Sequence, residues 1–219
     1  GREYARSETL DLFVLNGQGE VSGFVNENTS DANISSCKLD NVQIYNKMNS
    51  TNSMTAGFVI RNQSKIQGSY VQGKESFNSV TGERSYAYIG SSIATTGKVA
   101  GFVYQNSNLV KNCYTNIAIE NENATASLSA GFVYINDEGA EVSLCYSASV
   151  VTKNDTNQMQ FSGVDESLTS LNHGKISFSY FYNVASVDDT TQKDLTSGVM
   201  SISDANDQNV FYGFNFASN

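Results

Sequence analysis

The sequence predicts an all-β fold, a right-handed parallel β-helix (β-solenoid) of about five irregular coils. Three observations lead there. A short apolar block recurs at coil-length intervals, a second block follows it in similar phase, and a column of asparagines stands between the two. Composition agrees. Asn, Ser, Thr and Gly are abundant, and Pro and Trp are absent, a mix that favours short strands and tight polar turns over helices. Twelve Tyr and twelve Phe are too many aromatics for a disordered polar chain.

The first block reads Ser22-Gly23-Phe24-Val25, Ala56-Gly57-Phe58-Val59, Ala100-Gly101-Phe102-Val103 and Ala130-Gly131-Phe132-Val133, with Ser162-Gly163-Val164 as a degraded fifth copy. Its glycines are 34, 44, 30 and 32 residues apart. Repeats therefore begin near 22, 56, 100, 130 and 162 of a single domain spanning residues 1–219. Too short and too β-branched to nucleate a helix, this block reads as strand. Asn28, Asn62, Asn106 and Asn136, each five residues after its glycine, mark a corner, because Asn tolerates left-handed geometry.

The second block is Ile34-x-x-Cys37, Ile66-x-x-Ser69-Tyr70, Val110-x-x-Cys113-Tyr114, Val142-x-x-Cys145-Tyr146 and Ile176-x-x-Ser179-Tyr180. Period-2 alternation, as in Val142-x-Leu144-x-Tyr146, again indicates strand. Each unit supplies two or three strands, and one unit alone cannot bury its apolar side. Stacking units ~4.8 Å apart builds a shared core and turns the Phe, Asn and Cys/Ser columns into internal ladders. Phe24, Phe58, Phe102 and Phe132 are all expected to be buried. A propeller needs four strands per blade, and five uneven units are too few to close its ring. A sandwich does not require identical columns at fixed phase.

The three cysteines share one column with Ser69 and Ser179. Ligands in a single ladder do not converge on a metal, so the reading is of buried, reduced, small residues for which Ser substitutes by size. A Cys113–Cys145 bridge is the alternative. At the far end, Asn209–Phe216 alternates so that Tyr212, Phe214 and Phe216 share one side, an expected cap over the last coil.

The unit from Ala100 to Tyr114 resembles the GLUG motif of bacterial surface proteins: Gly-hydrophobic-Val, a few residues, Asn, then Ile/Val-x-x-Cys/Ser-Tyr. The similarity covers residues 20 to 185, most of the chain. It departs from the motif in having Phe after the glycine and in lacking the second Gly often found after Val. GLUG-like repeats occur in adhesins and in non-catalytic regions of streptococcal immunoglobulin-A1 metallopeptidases. The resemblance implies an extracellular module, secreted or attached to the surface of a Gram-positive or gut bacterium.

The candidate chemistry is thin. The metallopeptidase relatives cut with a His-Glu-x-x-His helix, whereas this chain has one histidine, His173, in a turn-like Leu-Asn-His-Gly segment read as exposed. Ser35-Ser-Cys-Lys38 matches Ser-x-x-Lys but has no companion elements, and the repeat accounts for its spacing. The carboxylate pairs Asp165/Glu166 and Asp188/Asp189 keep open a polysaccharide-acting β-helix enzyme as the alternative function, although strand neighbours point to opposite sides. Six Asn-x-Ser/Thr sequons, at Asn28, Asn33, Asn49, Asn62, Asn123 and Asn154, read as a by-product of composition.

A net charge of −9 without a basic cluster argues against a nucleic-acid partner, and no apolar run is long enough to insert in a membrane. The opening residues do not form a signal peptide, and the chain is expected to be a piece of a larger surface protein. Between about Gln72 and Lys98 the period is broken by an insertion carrying Lys74, Phe77, Arg84, Tyr86 and Tyr88. Insertions in solenoids gather on one side, and Tyr and Arg dominate interface hot spots. Lys74, Arg84, Tyr86 and Tyr88 are the candidate binding residues. The expected function is adhesion or spacing of a neighbouring domain, without cofactor, toward a host or bacterial surface protein or glycan.

Overall fold

In a computed structural model, the described residues are 13–48, 52–73, 75–77, 84–91, 97–121, 129–149, 161–163, 171–182 and 197–200. Every regular element among them is a strand, two to five residues long. Five parallel sheets carry all but one hairpin, and the fold is the expected right-handed parallel β-helix.

Each full coil passes through five faces. Face one stacks Phe13–Gly17, Val42–Asn46, Tyr88–Ser91 and Ala118–Asn121. Face two stacks Glu20–Ser22, Met54–Ala56, Lys98–Ala100 and Ser129–Ala130. Face three holds Val25–Asn28, Val59–Asn62, Val103–Asn106 and Val133–Asn136. Face four holds Asn33–Ser35, Ile66 within Lys65–Gln67, Leu109–Lys111, Glu141–Ser143 and Lys175–Ser177. Face five runs from Lys38–Asp40 through Tyr70–Gln72, Tyr114–Asn116 and Tyr146–Ser147 to Ser179–Tyr182 and Ser197–Met200. The repeat blocks mark the last residue of face two, faces three to five and their corners. Face one carries no shared motif, so five strands per coil replace the expected two or three.

Phe58, Phe102 and Phe132 are fully buried, their rings stacked 4.8–5.0 Å apart. Phe161 continues the stack 4.8 Å beyond Phe132. Two expectations are corrected here. Phe24 stacks on Phe58 at 4.8 Å but is 43% exposed, since that stack leaves much of its ring in contact with solvent. The last copy is phased on Phe161 rather than on Gly163: Ser162 bridges Val133, and Gly163 lies against Tyr134.

The asparagine column forms an unbroken side-chain ladder. Asn28 Nδ2 donates to Asn62 Oδ1 (2.7 Å), Asn62 to Asn106 (2.7 Å), Asn106 to Asn136 (2.8 Å) and Asn136 to Asn172 (2.8 Å). Asn172 is thus a fifth rung that sequence reading placed in a turn. Asn62, Asn106 and Asn136 are fully buried, and the amide–amide bonds offset the cost of taking them out of water.

Two backbone devices set the corners. Where face two meets face three, a Cβ on Gly23, Gly57 or Gly101 would run into the carbonyl oxygen of the next glycine down the stack. These glycines answer a close approach between coils rather than an unusual φ. Where face four meets face five, Ser36, Gly68, Asn112, Leu144 and Phe178 all adopt left-handed φ, between 49° and 59°. The next residue is always the Cys or Ser of the second block. Its side chain donates back two residues: Cys37 Sγ to Ser35 O (3.4 Å), Ser69 Oγ to Gln67 O (3.1 Å), Cys113 Sγ to Lys111 O (3.2 Å), Cys145 Sγ to Ser143 O (3.2 Å) and Ser179 Oγ to Ser177 O (3.0 Å). The column therefore selects a small hydrogen-bond donor, and size alone does not explain the Cys/Ser exchange. Cys113 and Cys145 are buried, whereas Cys37, in coil one, is only partly so.

Candidate functional site

With the Phe, Asn and Cys/Ser columns committed to the interior, recognition falls to side chains that point out of the wall. Face five presents Lys38, Tyr70, Tyr114, Tyr146 and Tyr180 in one register column, and Asp40, Gln72 and Asn116 in another. Tyr70 and Tyr114 stack at 4.6 Å, and the Lys38 ammonium sits 5.6 Å from the Tyr70 ring centre. Stacking occupies the ring faces, so this surface offers ring edges and hydroxyls. Tyr114 donates its hydroxyl to Gln72 Oε1 (3.0 Å), joining the two columns, and burial is the largest cause pushing its pKa up to about 12. Tyr180 is 3% exposed, so the accessible run is Tyr70, Tyr114 and Tyr146.

The insertion leaves the coil directly after this face. Glu75–Phe77 and Arg84–Tyr86 pair as an antiparallel hairpin, Glu75 opposite Tyr86 and Phe77 opposite Arg84. Tyr88 is the first residue of face one in coil three, half-buried, its ring edge-on to Tyr45 at 6.3 Å. The structure therefore places Arg84 and Tyr86 on one hairpin strand, two residues before Tyr88, where face five turns into face one. Lys74 lies outside the described residues.

A second feature lies on the other flank. Ala56, Ile60, Ala100, Tyr104, Ala130 and Tyr134 form an apolar cluster separate from the main core, with Tyr104 and Tyr134 stacked at 5.2 Å. The Arg61 guanidinium makes a two-pronged ion pair with Glu20, tying face three of coil two to face two of coil one. That hydrogen bonding holds the Glu20 carboxyl below its ordinary range. Ala56, Ala100 and Ala130 open the first repeat block and Ile60, Tyr104 and Tyr134 directly follow it, but spacing alone did not announce that they pack together as a separate cluster.

The remaining candidates separate. His173 is exposed, as expected. Ser35 closes face four and Lys38 opens face five, with the left-handed Ser36 between them. Asn28 and Asn62 have their amides committed to the ladder, which withdraws two sequons from the surface. Asp165, Glu166, Asp188, Asp189 and the Asn209–Phe216 segment lie outside the described residues. Among the described residues, no three His, Cys, Asp or Glu side chains gather as a metal site, and no helix is long and apolar enough to cross a membrane.

The chain finds no match among protein-family models, curated proteins or solved structures. What the fold and its surface define is a class: a parallel β-solenoid whose repeated Phe, Asn and Cys/Ser columns build its interior and whose repeated Tyr column faces outward.

Proposed function

We propose that this chain is a non-catalytic extracellular module of a bacterial surface protein, a GLUG-type solenoid that binds a surface protein or glycan through the hairpin and the tyrosine face beside it. The observation that carries this reading is the division of labour between inside and outside. The repeated Asn, Cys and Ser residues are spent on ladders and corners, and an interruption of the coil, the hairpin whose second strand is Arg84–Tyr86, follows the tyrosine face directly in the chain. Such interruptions of a repeat wall are where solenoids place recognition. Tyr and Arg are enriched at interface hot spots, and Tyr brings contact area at low entropic cost.

The test is binding of the purified domain to host-cell surfaces and to glycan and protein arrays, comparing wild type with an Arg84→Ala/Tyr86→Ala double variant. The expected result is at least a tenfold loss of binding with an unchanged melting temperature. Equal binding by both proteins removes the hairpin from the site. No binding by wild type, in a protein that still separates two flanking domains, supports the spacer role instead.

A further inference from the structure

We propose that Cys113 and Cys145 form a latent disulfide site, a modification that staples coil three to coil four. The two residues occupy adjacent rungs of one corner. Val110 pairs with Val142 and Lys111 with Ser143 just before them, and Tyr114 pairs with Tyr146 just after. The Tyr146 amide donates to the Cys113 carbonyl at 3.0 Å, which fixes the rung from the other side. Adjacent rungs of a parallel sheet are ~4.8 Å apart, inside the ~4.4–6.8 Å Cα range of bridged cysteines. Both side chains point inward and both are thiols in this structure.

The same column excludes other pairings. Ser69 stands between Cys37 and Cys113, which puts Cys37 two rungs away and beyond reach, and Ser179 follows Cys145. One pair in the chain is bridgeable, and Cys37 is left over. The closed loop runs from residue 113 to residue 145, one full turn of the solenoid. A bridge would turn that turn into a covalent ring.

In the reaction the two thiols lose two protons and two electrons, and one S–S bond forms. The acceptor is a small-molecule disulfide, which is reduced to two thiols by exchange through a mixed disulfide. Bridging also withdraws the S–H groups that donate to the Lys111 and Ser143 carbonyls. Burial pushes the Cys145 thiol up, with the adjacent Cys113 adding to it, so little thiolate exists in the closed coil. The bridge therefore forms during folding, or when this corner opens, and slowly in the closed state.

The experiment refolds the full chain from denaturant in a mixture of reduced and oxidised glutathione, with a reduced control. Thiols are counted after unfolding, and the cysteines are assigned by non-reducing peptide mapping. The expected result is a fall from three thiols to one, the survivor at Cys37, with a melting temperature several degrees higher that reverts on reduction. Cys37→Ser should then show none. Cys113→Ser, which places at 113 the residue found at 69 and 179, should fold and leave Cys145 unbridged. Three thiols at every oxidant level, a bridge that includes Cys37, or stable glutathione adducts on 113 and 145 would each overturn the proposal.

Discussion

Two glycines show how one residue type answers two different demands. Gly101 sits where coils approach too closely for a side chain, its missing Cβ facing the Gly131 carbonyl. Gly68 instead holds a left-handed φ of 59°, and a Cβ there would meet Ser36 only at ordinary contact distance. Gly101→Ala should therefore push two coils apart, lowering stability by ~3 kcal/mol or more and spoiling expression, as a backbone clash in a packed core does. Gly68→Ala should cost only about 1 kcal/mol, the penalty of a left-handed conformation without a clash. Denaturant melts of both variants check the contrast, and equal losses would refute the two causes. The first demand left its mark in the sequence, because close approach puts the same residue, Gly23, Gly57, Gly101 and Gly131, into coils one to four. The second was not. Its column reads Ser36, Gly68, Asn112, Leu144 and Phe178, because each coil meets the strain with a different residue.

Among the elements, the phenylalanine stack and the ladders divide stability between them. Phe102 is enclosed by Phe58 and Phe132, so Phe102→Ala should cost about 3–5 kcal/mol by leaving a cavity. Phe24→Ala, at a partly exposed ring, should cost less than half as much, measurable as the difference in denaturation midpoint. Columns that recur could be read directly from spacing. The fifth rung was misphased because Phe161, Ser162 and Asn172 keep the geometry while the connecting residues change in number. The hairpin was legible as a break in period. Its neighbourhood was not, because it follows from how far the coil has turned when it reaches Gln72. The Glu20–Arg61 pair adds a pH signature. The Glu20 carboxyl is lowered mainly by its hydrogen bond to Arg61, so the stabilisation is complete above the ordinary carboxylate range and fades as pH falls through the lower folded value. Its side chains are 34% and 35% exposed, so the loss below about pH 4 should stay under about 1 kcal/mol. Arg61→Ala should abolish that component, which acid titration of stability in both proteins will read.

On the scale of the molecule, a stack in which each coil touches only its neighbours is stabilised interface by interface. Hydrogen exchange should be slowest in the amides of Phe58, Phe102 and Tyr114, inside coils two and three, and fastest in coil one, where Phe24 is open. A uniform rate along the axis would mean that the coils unfold as one unit. The asparagine thread has a further consequence. Every amide in it donates toward the C-terminal end, from Asn28 to Asn172, so its dipoles add instead of cancelling and each bond polarises the next. The column is a one-way street: at Asn62, Asn106 and Asn136 the oxygen accepts from the preceding coil and the nitrogen donates to the next. Inverting a coil would set like groups against each other, and slipping it by one residue would take its Asn off the column, so the thread enforces both the direction and the register of the stack.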